Sequence, residues 1–469
     1  MKFLANLPLA ITATRAQSVL TQKVRHKGQP GTSAANALAE DPMTTRVKGR
    51  AKRAGTGTAD WDLSQGLTEH LSSLLDTHLI LPLIEDPEAE ITRAGLMDKG
   101  QFLARQDRWD EISDLIRAAD STRALTPCGM SHATLLATGA RADVVSATAQ
   151  AIEDGVNPSL AGIEALEELI CEYPDDYVIA AIVAQAHADI GWAWRGHDWS
   201  HEIPERNLAL FHAHFARAEQ ILNQLQRRGE IPDDSPLIAA TRCLLATATD
   251  ATGQVSPPAR LADDYARLID LDPLNPRHMR ALGNHLLPRW FGSYDALELE
   301  ARRTAARTRD QWGNGAYAWV YFDALAVDLG ATRMLDVEFF TDGMRDILAA
   351  RPDQHIANLF AAYAAITMGP DRTPLNAPDM LRATRATIHD CLDWVLGEYL
   401  HELHPLVWAE ASLGPGLSGV IPQRKALIRK GVDAARLSIA RHFEQDLRAG
   451  ATVAFSRHGL RLYPSGPQT

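Results

Sequence analysis

The chain has 469 residues, 46% of them hydrophobic and 23% charged, with 47 Lys and Arg against 59 Asp and Glu. It is long enough to bury a large core, and length alone suggests roughly two to four domains unless repeats accumulate without a central one. Residues 1–58 hold ten basic and two acidic residues, so the remainder carries −20 of the overall −12; such an acidic body lacks the basic face that phosphate contacts need, and nucleic acid is not an expected partner.

No run approaches the roughly 18 apolar residues of a membrane span. The four cysteines, Cys128, Cys171, Cys243 and Cys391, form no C-x-x-C pair. They read as reduced, packed thiols of a cytoplasmic protein, with no metal and no cofactor expected. The first 13 residues faintly resemble a signal peptide, interrupted by Asn6 and Pro8. Residues 14–58 are rich in Thr, Gly, Ala, Lys and Arg, and the segment 1–58 is expected to be a disordered, basic tail.

Order is expected from Trp61, where Leu63, Leu67, Leu71, Leu74 and Leu75 suggest a first helix ending near Leu81-Pro82. A second runs from Phe102 to Ala119, with a partner at Ala133–Thr138 or Ala142–Ile152. These make a unit of helical hairpins over 59–155. A central array over 156–369 opens at Asn157-Pro158. In it Tyr177–Trp194 reads as an inner helix, followed by one whose Leu208, Phe211, Phe215, Ala218, Leu222 and Leu225 make a narrow seam.

Four helices from Ser256 to Gly330 have the clearest punctuation. Ser256-Pro257 and Asn275-Pro276 are cap-plus-proline starts, Ser293 caps a third helix, and Ala316–Leu329 is apolar on nearly every side. Further on, Phe340, Met344 and Ile347 face Ile356, Leu359, Phe360 and Tyr363 across a turn at Pro352. A C-terminal helical region over 370–469 holds Leu381–Tyr399 and Ile421–Leu447, and the last ten or so residues are expected to fray.

Helix, tight turn and helix without strands predict an all-α fold of stacked antiparallel hairpins. Leu271-Asp272-Pro273-Leu274-Asn275-Pro276, Ala281-Leu282-Gly283 and Asp107-Arg108-Trp109-Asp110-Glu111-Ile112 resemble the turns and helix starts of tetratricopeptide-like repeats. That resemblance implies a right-handed solenoid that binds a protein or peptide partner or serves as an assembly scaffold. The turns at Pro174, Pro273 and Pro352 lie 99 and 79 residues apart, neither a multiple of the ~34-residue period, so the repeats are irregular. Leu287-Pro288-Arg289-Trp290-Phe291-Gly292-Ser293-Tyr294 also resembles a segment of uncharacterised bacterial helical proteins, which implies a lineage and no activity.

Two groups of residues could carry chemistry. His187, Trp192, Trp194, His197, Trp199, His201, His212 and His214 concentrate imidazole and indole around a hairpin connection, where they could wall a pocket. The competing reading is a turn packed by tryptophans, and His212 and His214 point too far apart to share a metal. His285 and Arg289 share a helical face beside Trp290 and Tyr294 and could hold a carboxylate; equally, Arg289 could bond carbonyls at a helix end. His401-Glu402-Leu403-His404 has the wrong spacing for a zinc helix and reads as a helix terminus. No phosphate loop, dinucleotide fingerprint or nucleophile elbow is present. The alternative to a scaffold is a helical enzyme or small-ligand binder using these His, Trp and Arg residues.

Overall fold

The computed structural model describes residues 75–196, 203–246, 258–288, 292–414 and 423–464. The readings of residues 1–74, of the Ser256-Pro257 cap, and of His197, Trp199, His201, Arg289 and Trp290 fall outside these ranges. The described chain is helical apart from one small sheet.

Local chemistry sets most boundaries. Helix α1, Glu88–Arg105, follows Pro87 and carries Glu88 and Glu90 in its first turn and Arg105 in its last, matching the helix dipole. Asp107, at positive φ, turns the chain into α2, Trp109–Thr122. Two helices therefore replace the single one expected from Phe102 to Ala119, because three residues at Gln106–Arg108 break the apolar stripe. The partner, α3, is continuous over His132–Glu153, with Ser131 capping Thr134 N–H; neither shorter alternative holds. Helix α4 is Ala161–Glu172, starting three residues beyond Asn157-Pro158. Asp176 caps α5, Tyr177–Arg195, which is buried over most of its length. Helix α6, Glu205–Arg228, ends at Gly229 with φ 79°.

Ser235 and Pro236 start α7, Pro236–Leu245, and α8 is Pro258–Leu271. Asn275 caps α9, Pro276–His285, and Ser293 caps α10, Tyr294–Arg307, both as their sequences predict. Helix α11, Gly315–Val327, buries nearly every side chain from Ala316 to Leu325. Helices α12, Val337–Ala350, and α13, Gln354–Ala362, flank the Pro352 turn, and a π turn at Tyr363–Thr367 extends α13. Then come α14 at Asp379–His389, a second π turn at Val395–Tyr399, α15 at Pro405–Leu413 and α16 at Arg424–His442. His404 stands at a helix terminus, as the N-cap residue of α15.

Neighbours in sequence are neighbours in space. Helix α3 packs on α1, α2 and α5; α5 also holds α4, α6 and α7; α11 holds α9, α10 and α12; α15 holds α13 and α16. Two large apolar cores result, one from α2 to α7 and the other from α7 and α8 onward to the C-terminal strands. Close crossings depend on glycine. A Cβ on Gly283 would stand 1.7 Å from the Val320 carbonyl oxygen, so α9 and α11 touch backbone to backbone. Gly100 and Gly139 meet each other's helices in the same way, with Cβ positions 2.2 and 2.0 Å from carbonyl oxygens.

The sheet links the two ends of the described chain. Strand β1, Leu79–Ile80, runs parallel to β2, Thr452–Ser456, which pairs antiparallel with β3, Gly459–Tyr463. Ile84 N–H donates to the Leu403 carbonyl at 3.0 Å and Leu403 N–H to that of Pro82 at 2.8 Å. Arg424 and Arg436 pair with Asp86 and Asp76. Val453 and Phe455 alternate inward, which gives β2 its buried face. The last ten or so residues, read as a fraying end, thus include most of strand β3. Among the described residues, no helix is long and apolar enough to cross a membrane.

Candidate functional site

The residues singled out in the sequence fall into two packed sets. His187, on α5, is 4% exposed. Its Nε2 lies 2.8 Å from Glu167 Oε1 on α4, and its Nδ1 lies 2.9 Å from Nδ1 of His214 on α6. Arg217 holds Glu167 with both Nε and Nη2, at 3.0 and 2.9 Å. A carboxylate only accepts, so His187 donates from Nε2, accepts at Nδ1, and leaves His214 as the Nδ1–H donor. Burial, against the opposing pull of Glu167, lowers the His187 pKa. Burial and then His187 lower that of His214 to about 4. Both rings are therefore neutral near pH 7.

Trp192 meets Phe211 edge-on at 5.2 Å between centroids, with the Arg195 guanidinium 5.5 Å from its ring centre, and Arg206 lies over Trp194 at 5.6 Å. In the second set, His285 Nδ1 pairs with the Tyr265 hydroxyl at 2.7 Å, and burial lowers its pKa to about 4. The Tyr294 hydroxyl donates to Asp328 at 3.1 Å. The first set belongs to the α2–α7 core and the second to the other, so the structure brings His187 to His214 but builds no single site from all these residues.

Another group does converge, and the sequence reading passed over it. Arg277 and Arg280 lie three residues apart on α9 and share one face with Asn284. Asn275 sets the start of that helix by accepting from Arg277 N–H at 3.2 Å, while Trp312 Nε1 fixes the preceding turn by donating to the Pro273 carbonyl at 2.7 Å. Arg280 grips Asp323 of α11 with two hydrogen bonds, at 2.9 and 2.7 Å. Its guanidinium covers the Phe322 ring at 5.1 Å, and that ring stacks on Tyr363 of the π turn at 4.1 Å.

On α13, Gln354 and Asn358 stitch the segment before α15 into place. Gln354 Oε1 accepts from His401 N–H at 2.9 Å, and Asn358 Oδ1 accepts from His404 N–H and Trp408 Nε1, both at 2.9 Å. His404 is thereby held 6.4 Å from His355, centroid to centroid. Helix α1 adds Arg93, paired with Glu90 at 2.7 Å, and α15 adds Glu410.

These groups act on one another. The charges of Glu90, Arg93, Arg277 and Arg280 all bear on Glu410, and those of His404, Arg277, Glu90 and Arg280 bear on His355. Glu410 is enclosed by protein yet open to solvent, and Arg277 and Arg280 are enclosed yet partly exposed. Such side chains line an internal recess that water enters. Burial first, and then repulsion from Glu90, raises the pKa of the Glu410 carboxyl despite the nearby arginines. Burial, followed by the neighbouring Arg280, lowers that of Arg277 to about 10, still cationic at neutral pH. Burial pulls Arg280 down, but Asp323 outweighs it and leaves its pKa raised. Burial and then His404 bring His355 to about 4.

Several polar atoms here are buried without a partner among the described residues: Arg277 Nε, both amide atoms of Asn284, Nδ1 of His355 and His404, and the Tyr363 hydroxyl. Buried polar groups are almost always satisfied in native proteins, so this concentration calls for an explanation. A cleft of about 750 Å³ is lined by Glu88 and Thr92 of α1, Leu125–Pro127, His132, and Arg351–Asp353. These segments adjoin those that supply Glu90, Arg93 and His355. No group of three or more His, Cys, Asp or Glu among the described residues is placed to hold a metal ion.

Fold and site together define an all-α protein with a charged internal recess. Comparison with protein-family models, with curated proteins and with solved structures gives no match.

Proposed function

We propose that the chain is a binding protein whose helices enclose a site for a small anionic ligand, with Arg277 as its principal anchor. The observation that carries this reading is the Arg277 guanidinium itself. It is partly exposed, has one nitrogen buried and unpartnered, and forms no ion pair among the described residues. A cation partly withdrawn from water and without an ion pair is costly to keep, and a bound carboxylate or phosphate offsets that cost with charge-assisted hydrogen bonds. Asn284 and His404 supply polar atoms of the kind that orient a ligand.

The tetratricopeptide-like reading stays as part of this proposal, supported by hairpins that pack in chain order. A protein or peptide partner meets the same site at one point: a peptide's C-terminal carboxylate suits Arg277, and the cleft beside α1 has room for a chain end.

The test is thermal unfolding of the full chain with a panel of small carboxylates and phosphates, repeated on Arg277→Met. At 100 times its Kd, a ligand stabilises by about 2.7 kcal/mol. The expected result is a shift of several degrees for at least one anion with the wild-type chain and none with the variant. No shift with any anion, or equal shifts in both proteins, would refute the assignment.

A further inference from the structure

The cleft beside α1 has a cationic wall. Arg351 lines it from the turn between α12 and α13, with its guanidinium 4.8 Å from the centre of the Trp312 ring. Trp312 is 1% exposed and tied to the Pro273 carbonyl, so this cation–π contact fixes where the guanidinium lies. Among the described residues Arg351 forms no ion pair and donates no side-chain hydrogen bond. The carboxylates that act on it, Asp272 and Asp353, are committed elsewhere. Asp272 is buried and holds Asn275 and His278, at 3.0 and 3.1 Å. Asp353 Oδ1 caps α13, accepting from His355 and Ile356 N–H at 2.8 and 3.3 Å. Burial outweighs the pull of both and lowers the Arg351 pKa. A guanidinium so held offers its planar donors to a carboxylate brought from outside.

The rest of the lining selects the kind of carboxylate. Glu88 and Asp353 add two negative charges to the one positive charge, and burial lowers the His132 pKa, which keeps that ring neutral at pH 7. A polyanion is therefore disfavoured. The two carboxylates are acceptors that suit N–H donors, while Leu125, Pro127 and Pro352 present apolar surface. A peptide chain end brings all three counterparts: one terminal carboxylate, amide N–H groups and an apolar side chain. The volume of about 750 Å³ is that of a site for such a short segment. We infer that the cleft receives the C-terminal end of a peptide, with its terminal carboxylate on Arg351 and its N–H groups towards Glu88 and Asp353. This rests on the peptide-partner reading and places the anchor at Arg351, which lines the cleft; the small-anion site at Arg277 is separate.

Fluorescence polarisation of the full chain decides the matter. The probes are N-terminally labelled tetrapeptides without Asp or Glu, varied in an apolar last residue, each made as the free acid and as the C-terminal amide. At least one sequence should bind about tenfold or more tighter as the acid, the scale of one charge-assisted contact. Arg351→Met should reduce that preference to about twofold or less, Arg351→Lys should keep part of it, and Arg277→Met should leave it unchanged. Equal binding of acids and amides to the wild-type chain would overturn the carboxylate contact, and that comparison needs no variant to fold. A preference lost in Arg277→Met and kept in Arg351→Met would overturn the Arg351 anchor while the peptide reading stands. If no peptide binds, this inference and the peptide reading both fall, and the response of Arg277 to small anions is still read separately.

Discussion

Arg141 on α3 and Asp189 on α5 form an ion pair in the interior, with side chains 4% and 0% exposed and 2.7 Å between Nε and Oδ2. The pair is half-satisfied, since Arg141 Nη1 and Asp189 Oδ1 have no partner among the described residues. Arg141→Met should leave Asp189 with no counter-ion. Burial already raises the pKa of that carboxyl with arginine present, so the variant should fold with Asp189 protonated. Keeping a carboxylic acid of ordinary pKa near 3.9 protonated at pH 7 costs about 4 kcal/mol, within the range of about 3–5 for breaking a buried pair.

The sign of the pH dependence follows. A folded-state pKa above the unfolded one gives stability that is complete below about pH 3.9 and declines as pH rises, by about 1.4 kcal/mol per unit. Urea unfolding followed by far-UV circular dichroism at pH 5, 6 and 7 should therefore show the deficit of Arg141→Met growing with pH. Replacing both residues, with Arg141→Met and Asp189→Leu, should recover most of the loss. A deficit below about 1 kcal/mol that ignores pH would refute the reasoning.

Arg277→Met should behave oppositely in the absence of ligand: removing an enclosed cation with no ion partner costs nothing, and a gain of about 1 kcal/mol in urea is expected. Gly283→Ala must force α9 away from α11, because its Cβ falls on a backbone oxygen; a loss of about 3 kcal/mol or more is expected, above the usual range for overpacking, and a wild-type midpoint would contradict the crossing. Nitrogen-15 NMR of the histidine rings at pH 7 should show the Nε2–H form for His187 and the Nδ1–H form for His214, and the reversed pair would overturn the hydrogen-bond order. His285, 6% exposed and held at about pKa 4, makes folding lose up to about 1.4 kcal/mol per unit as pH falls from about 6.5 towards 4, because the unfolded ring takes the proton first; His285→Leu should flatten that part of the acid-unfolding curve.

The helices from Pro258 to Val327 were legible because their ends are written in local chemistry: Asn275-Pro276 and Ser293 cap in the structure as their residue types require. The division at Gln106–Arg108 was less so, since Asp107 at positive φ gives no composition signal of the kind glycine would. Strand β2 did carry a signal, the alternation of Val453 and Phe455 ahead of Gly459. It is short, and strands that pair with a segment more than 370 residues earlier leave no local trace of that partner.

The recess was missed for a related reason. Arg93, Arg277, Asp323 and Glu410 come from four distant helices, and periodicity assigns each residue to a face without saying which faces meet. A usable hint existed nonetheless. Asp323 and Glu410 are the sole charged residues on the otherwise apolar helices α11 and α15, and an ionised group kept on a buried helix needs a counter-charge. Among the residues that drew attention instead, His187, His214, His285, Trp192 and Trp194 are held by packing and hydrogen bonds within their own sets.

The pairing of β1 with β2 fixes when the recess can come into being. His78 and Thr452 stand 3.4 Å apart across 374 positions of sequence, and closing so long a loop is entropically deferred until the hairpins between have formed. At a translation rate of about 5–20 residues per second, α1 leaves the ribosome roughly 15–60 seconds before the helix bearing Glu410. Glu90 and Arg93 therefore wait on a nascent chain that already holds folded hairpins, and a product stopped before residue 400 would look well ordered while lacking one wall of its site.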